Sequence, residues 1–289
     1  MPSLNVIGAG QVGQPLARLL AEKLHLDIHC VLNRSIESAQ RACDFIGAGK
    51  PIDSFTALSP ADYTLITTPD YALQRTAEIL AKSQKIKKNM IFFQCSGSIP
   101  SSALHEIKNK GALIASFHPI KSFVDTQRSL NTFEGTYCAL EGDQKACKIL
   151  EGWAIKLGAN PFYIQTDKKL IYHSSLVFAC NYLISLAEIA FLSLEEAGVS
   201  RDISKSLLQP FMENTLTQLF EKDTAKALSG PIARGEIDVV QSEINVLTIW
   251  RPNFATLYKS LGEIALTLAE KKGSLTTQDA HRLKQILGA

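Results

Sequence analysis

The stretch Leu4-Asn5-Val6-Ile7-Gly8-Ala9-Gly10-Gln11-Val12-Gly13 decides the fold, because it reads as a buried strand running into a phosphate-binding turn. The apolar run predicts the strand, and the glycine spacing predicts the turn at its end. Gly8 permits the sharp exit, Gly10 leaves no side chain between the backbone and a pyrophosphate, and Gly13 lets the next helix pack close to the sheet. Gln11, Val12 and Gly13 then offer unpaired amides at the start of a helix that continues through Pro15, Leu16, Leu19 and Leu20. The positive end of that helix dipole faces the same point, so the turn is a candidate dinucleotide site. The alternative is a glycine-rich connection that binds nothing.

Working outward, Asp27 to Leu32 supplies a second strand that ends in Asn33-Arg34-Ser35. A site that selects NAD usually places a carboxylate here to hold the ribose hydroxyls. Arg34 offers a guanidinium to a 2′-phosphate instead, with Asn33 beside it and the hydroxyl and amide of Ser35 behind, so NADP is expected rather than NAD. A helix over Ile36 to Phe45, a third strand over Ile52 to Phe55 and a fourth over Asp62 to Thr67 continue the alternation. That alternation predicts an α/β fold with a mostly parallel sheet and helices on both faces. Ligands of such sheets bind beyond the carboxyl ends of the strands, so Thr67-Thr68-Pro69-Asp70 should line the crevice, with Pro69 as a turn device.

A helix over Tyr71 to Ala81 and a strand over Met90 to Gln94 lead to Cys95-Ser96-Gly97-Ser98. Ser96 is a candidate contact to nicotinamide or substrate, or a residue that closes its turn. The next strand, Ala112 to Phe117, finishes in His118-Pro119-Ile120-Lys121. His118 is a candidate proton donor because imidazole titrates near neutral pH, and Lys121 a candidate clamp for a substrate carboxylate. The plainer role for His118 is to satisfy a loop carbonyl. Tyr137 to Leu140, a helix over Gln144 to Leu157 and Pro161 to Ile164 complete a nucleotide domain over residues 1–165. From 166 to 289 only helical patterns occur, with Thr166 or Asp167 capping the first, which predicts an all-helical substrate and dimerisation domain.

Leu170 to Glu196 is too apolar for a surface helix, and the run from Leu176 to Leu194, interrupted by Asn181, Ser185 and Glu188, reads as a buried helix and not a membrane span. Ser174, Asn181 and Glu188 recur every seven residues and should share one face, flanked by His173 and Ser185. That stripe is either an interhelical hydrogen-bond network or the wall of a site to which His173, Ser174 and Asn181 contribute. Further on, Gly230-Pro231 marks a turn in an irregular insertion where Arg234 and Glu236 serve a carboxylate-bearing substrate or pair with other charges.

The chain as a whole restricts the partners. Its 289 residues are 46% hydrophobic and 20% charged, with a formal net charge of +2, which is ordinary for globular domains and implies no nucleic-acid or anionic-membrane partner. The six cysteines, Cys30, Cys43, Cys95, Cys138, Cys147 and Cys180, show no metal-ligand spacing and read as reduced core residues of a cytoplasmic protein. No secretory leader pattern is present at the amino terminus, and no metal site is expected.

Five segments together carry a resemblance: Gly8 to Gly13, Cys95-Ser96-Gly97, Phe117-His118-Pro119, His173 through Asn181-Tyr182-Leu183, and Gly230-Pro231-Ile232-Ala233-Arg234-Gly235. In these the chain resembles the Rossmann-like proteins whose carboxyl-terminal half is the domain of unknown function 2520. Its layout is more distantly similar to ketopantoate reductase, pyrroline-5-carboxylate reductase and the 3-hydroxyacid dehydrogenases. The resemblance implies a nicotinamide-dependent oxidoreductase and makes the Gly230 to Gly235 loop a site element. Several of those enzymes carry a catalytic lysine four residues before an asparagine on the long helix; Asn181 matches the asparagine, but Val177 stands at the lysine position.

The expected function is therefore a cytoplasmic, homodimeric NADP-dependent reductase or dehydrogenase of a small carbonyl, imine or hydroxy acid. His118 or His173 would be the proton donor, Asn181 would orient the substrate, and Ser96, Lys121, Ser174 and Arg234 are the candidate substrate contacts. The rival expectation is an NADP-binding sensor in which no hydride moves.

Overall fold

The opening apolar run forms β1 (Ser3–Ile7), and Val6 and Leu4 on it are fully buried. Seven further strands join it: β2 (Asp27–Leu32), β3 (Lys50–Ile52), β4 (Tyr63–Ile66), β5 (Ile91–Gln94), β6 (Leu113–Pro119), β7 (Tyr137–Gly142) and β8 (Asn160–Tyr163). The computed structural model describes residues 1–83 and 86–288. The strands lie in one sheet in the order β3-β2-β1-β4-β5-β6-β7-β8. The first six are parallel; β7 runs antiparallel to β6, and β8 runs parallel to β7. The direction in which the strands are added reverses between β1 and β4, the point at which open α/β sheets bind ligands.

Six helices accompany the sheet: α1 (Gly13–Leu24), α2 (Ile36–Ile46), α3 (Asp70–Ser83), α4 (His105–Lys108), α5 (Thr126–Asn131) and α6 (Gln144–Lys156). Strand alternation divides the core. Val6, Val31, Phe93 and Phe117 pack with Leu16 and Leu20 of α1 and Leu150 of α6 on one face. Ile7, Leu32, Phe92 and Ile114 pack with Leu73 and Leu80 of α3 and Ile107 of α4 on the other. A seventh helix, α7 (Lys169–Leu176), belongs to the same unit, which extends over Met1–Ala179.

The second unit, Cys180–Ala289, is helical: α8 (Leu183–Glu196), α9 (Arg201–Glu221), α10 (Thr224–Ala227), α11 (Pro231–Arg234), α12 (Ile237–Trp250), α13 (Pro252–Lys272) and α14 (Thr277–Leu287). Its core is Ile232, Ile237, Val240, Ile244, Leu266, Leu283 and Leu287. Much apolar surface is left uncovered: Phe220 is 85% and Ile249 86% exposed, and Ile184, Phe211, Val246 and Ile264 are exposed as well. A cavity of about 540 Å³ is open among Leu186, Ile189, Val246, Leu257 and Leu261.

The structure departs from the sequence reading at several points. The third strand lies earlier than Ile52–Phe55, because Phe55 already begins a 3-10 turn that Ser54 caps. Thr166 and Asp167 do not cap the long helix; Thr166–Lys168 is a 3-10 turn without a side-chain cap, and α7 begins directly after it. The division between compact units falls after Ala179 and not after residue 165, since Lys169 is buried in the first unit. The run from Leu176 to Leu194 is not buried: Phe178, Tyr182, Ile184 and Leu186 are all exposed. Thr166–Glu196 is long and apolar enough, by length and composition, to cross a membrane.

The seven-residue polar stripe does not hold either, because Val177–Tyr182 is π-helical. A π turn takes one residue more, and each extra residue offsets the 3.6-residue count by about 100°. The stripe's side chains are also used locally. Ser174 Oγ donates to the Leu170 carbonyl at 2.9 Å, Ser185 Oγ donates to the Asn181 carbonyl at 3.2 Å, and Glu188 is ion-paired with Arg201. All six cysteines are free thiols, but Cys180 is exposed and is no core residue.

Candidate functional site

A crevice of about 810 Å³ opens at the carboxyl ends of β1, β2 and β4. Gly8, Gly10, Gln11 and Val12 form its floor, with Asn33 and Arg34 at one end and Thr68, Pro69 and Ser96 along the wall. The turn is built as its glycines require. Gly8 has φ +81°, and a Cβ there would lie 2.7 Å from the Thr68 amide nitrogen. At Gly13 a Cβ would meet Thr67 Oγ1 at 2.3 Å, so the start of α1 lies against β4. Gly10 is different: a Cβ would find nothing closer than 3.9 Å and would project into open space. That space is a cradle a ligand can fill against bare backbone. The buried Thr68 Oγ1 has no hydrogen-bond partner, so the crevice wall holds a polar group that a ligand would satisfy.

The three residues after β2 divide their work. Asn33 Nδ2 donates to the Ala9 and Ser38 carbonyls at 3.4 and 3.0 Å, which ties the glycine turn to α2. Ser35 is the N-cap of α2, its hydroxyl accepting the Ser38 amide at 3.3 Å, and it does not line the crevice; Ser38 does. Arg34 is exposed at the rim and forms no ion pair among the described residues. Thr67 and Asp70 line the crevice as expected, and Asp53, Phe55, Tyr71 and Thr76 line it as well without having been singled out from sequence.

Beyond the Ser96 end lies a second group of polar side chains. Ser96 Oγ accepts the Ile99 and Ser98 amides at 2.9 and 3.2 Å, so it closes its turn while facing the crevice. Two imidazoles crowd the bare face of Gly97: a Cβ there would stand 2.7 Å from His173 Cδ2 and 2.8 Å from His118 Nε2. His118 Nδ1 is hydrogen-bonded to the Tyr172 hydroxyl at 2.8 Å. Burial above all, then the charges of Lys169 and His173, push the His118 imidazole down to about 4, against a smaller opposing effect of Asp70. This ring is neutral at physiological pH.

A buried ion pair lies one layer deeper. Lys169 and Glu141 are both 1% exposed and paired at 3.0 Å. Lys169 Nζ also donates to Ser116 Oγ, while Glu141 accepts the Ser101 amide at 2.7 Å and its hydroxyl at 2.6 Å. Burial pushes the Lys169 ammonium down and Glu141 opposes it. The cluster thus joins β6, β7, α7 and the segment after Gly97 through hydrogen bonds. No local signal marks it in the sequence, since Lys169 follows Asp167-Lys168 and Glu141 precedes Gly142-Asp143.

Other candidates are placed elsewhere or committed to other partners. Lys121 Nζ donates to the Thr132 carbonyl at 2.9 Å and lines no part of the crevice. Arg234 is held by Glu236 in a bidentate pair at 2.8 and 2.9 Å, in the second unit. Asn181, also in the second unit, lies within the π turn. Cys95 is no nucleophile, because burial drives its thiol well above the usual range. No cluster of His, Cys, Asp and Glu able to hold a metal ion occurs among the described residues.

Residues 2–119 match the model of a Rossmann-like domain, and residues 136–264 match that of the domain of unknown function 2520. Among solved structures, protein TM1727 from Thermotoga maritima is 26% identical with a TM-score of 0.72, over 93% of this chain and 99% of that one. A Bacteroides fragilis protein provisionally assigned as an NADP oxidoreductase is 20% identical with a TM-score of 0.68, over 91% and 97%. The reductive aminase from Aspergillus terreus, in complex with NADPH and ethyl levulinate, is 15% identical with a TM-score of 0.60, over 100% and 93%. A comparison with curated proteins gave no match. These likenesses show a shared fold.

Proposed function

We propose that this chain, a Rossmann-like domain followed by the domain of unknown function 2520, is an NADP-dependent oxidoreductase of a small carbonyl, imine or hydroxy-acid substrate. The observation that carries the reading is the crevice at the β1/β4 reversal, with open space over Gly10 and an arginine at the end of β2 where a NAD site has a carboxylate. The cofactor's residues fit. The amides of the Gly8–Gly13 turn and the amino end of α1 hold a pyrophosphate, and Thr68 Oγ1 gains a partner. Arg34, with Ser38 beside it, pairs with a 2′-phosphate. When bound, a nicotinamide dinucleotide supplies or accepts the hydride.

The chain's own chemistry is placed at the Ser96 end. Ser96, at that end of the crevice, would border a nicotinamide, and His118 and His173, whose rings meet over Gly97, would supply the donor for the substrate's heteroatom. The uncovered apolar faces of α8, α9, α12 and α13 support a homodimer, the six free thiols support a cytoplasmic protein, and the formal charge of +2 provides no field to draw a nucleic-acid or anionic-membrane partner. Fluorescence titration with NADPH and NADH tests the cofactor. Wild type is expected to prefer NADPH, and Arg34→Ala to lose about tenfold or more in NADPH affinity with NADH affinity kept. Failure to bind either nucleotide refutes the reading.

One observation favours a second reading. Val177 stands where a lysine would be, so a nucleotide sensor without turnover is the alternative. Reduction of any carbonyl or imine by bound NADPH excludes it.

A further inference from the structure

The face of β6 that carries Ser116 and His118 meets the face of α7 that carries Lys169, Tyr172 and His173 in two rungs. Lys169 bonds Ser116, and Tyr172 bonds His118. The spacing is that of neighbours on each element: two residues apart on a strand, three on a helix. Across the β6–β7 register, Glu141 stands opposite Ser116 and Ala139 opposite His118. The first rung therefore has a carboxylate beside it on β7, ion-paired with Lys169, while the second has only a methyl beside it.

The second rung has a direction. A phenol is a better donor than a neutral imidazole N–H, and an imidazole nitrogen is a better acceptor than a phenol oxygen. Burial pushes the Tyr172 phenol up, so it keeps its proton. The bond thus runs from the Tyr172 hydroxyl to Nδ1, and the hydrogen of the neutral ring is on Nε2. That is the edge turned to Gly97, where any side chain would collide with it. The groups around the ring hold it neutral: Lys169 and His173 on α7 oppose a positive charge, and Asp70 at the start of α3 is the one that favours it. Glu141 on β7 is taken up by Lys169 and Ser101.

We propose that Tyr172 is a positioning residue that fixes His118 as the Nε2–H tautomer, so that His118 presents one neutral N–H donor on the edge that faces Gly97. This deepens the oxidoreductase reading and rests on it for what the donor meets. His118 then polarises the substrate's heteroatom by a hydrogen bond and is not an imidazolium acid.

The test is long-range proton–nitrogen NMR on protein labelled with ¹⁵N-histidine, with His118→Gln to assign the signals. In wild type, His118 should show a protonated Nε2 and a bare Nδ1, by about tenfold or more over the other tautomer, unchanged from about pH 8 to pH 5.5. In Tyr172→Phe the ratio should collapse toward an even mixture. A wild-type ring protonated at Nδ1, a ring that charges near pH 6.5, or a Tyr172→Phe ring unchanged from wild type would each overturn the proposal. NADPH titration of the same samples separates the two readings, since loss of nucleotide binding strikes the oxidoreductase assignment and leaves the tautomer untouched.

Discussion

Replacing Gly10 and Gly13 separately by alanine should produce opposite results, although both belong to one turn. At Gly10 the new methyl meets nothing closer than 3.9 Å and the backbone φ is not positive, so stability should change by about 0.5 kcal/mol or less. The methyl instead occupies the space where a phosphate would approach the amides. Losing one charge-assisted hydrogen bond costs about 1.5–3 kcal/mol, which weakens NADPH binding by roughly ten- to 150-fold. At Gly13 the methyl stands 2.3 Å from Thr67 Oγ1, whose hydroxyl donates to the Gly8 carbonyl at 2.8 Å. Thr67 must rotate away, with loss of about 1 kcal/mol for that bond and about 1–3 kcal/mol for overpacking, offset by about 1 kcal/mol of helix propensity. A net loss of about 2 kcal/mol lowers Tm by about 4–8 °C for a unit of this size. Thermal unfolding and NADPH fluorescence, run on both variants, read the two effects. A Gly10→Ala protein that binds NADPH like wild type, or a Gly13→Ala protein with unchanged Tm, refutes the reasoning about that glycine.

Three other outcomes are expected. Lys169→Met leaves Glu141 unpaired in the core and should cost about 3–5 kcal/mol in urea unfolding, whereas Lys169→Met with Glu141→Gln should recover part of it; equal losses would show that the ion pair is not the source. His118 binds its proton less well folded, at about 4, than unfolded, at about 6.5, so its stabilisation is complete above pH 6.5 and is lost as pH falls toward 4. The loss is about 3 kcal/mol, and His118→Gln should flatten that part of the stability–pH curve. Val246→Asp with Ile264→Asp, on the exposed apolar faces of α12 and α13, should convert a dimer to a monomer in light scattering with little change in helicity. A variant that stays dimeric would locate the interface elsewhere.

The glycine turn was legible because each of its positions answers to one constraint: a positive φ at Gly8, open space at Gly10, a close approach at Gly13. β3 was not, because Lys50-Pro51-Ile52 is a short edge strand with no alternation to read. Neither was the Lys169 cluster. Its partners are 28 and 53 residues away, and only folding brings them together. The long helix misled in a particular way, since an apolar run has the same composition whether it turns as α or as π, and the polar stripe was counted on the wrong period. Its exposure was equally hidden, because apolar residues declare a need for cover and not what provides it.

The short connection between β2 and α2 has a consequence for how such a protein changes its diet of cofactor. Asn33 is occupied in tying the turn and Ser35 in starting the helix, so of these three residues Arg34 is the one whose side chain holds no part of the fold in place. On the proposed reading, a change at Arg34 would alter nucleotide preference and leave the fold's own bonds intact, so selection could act on the coenzyme without acting on stability.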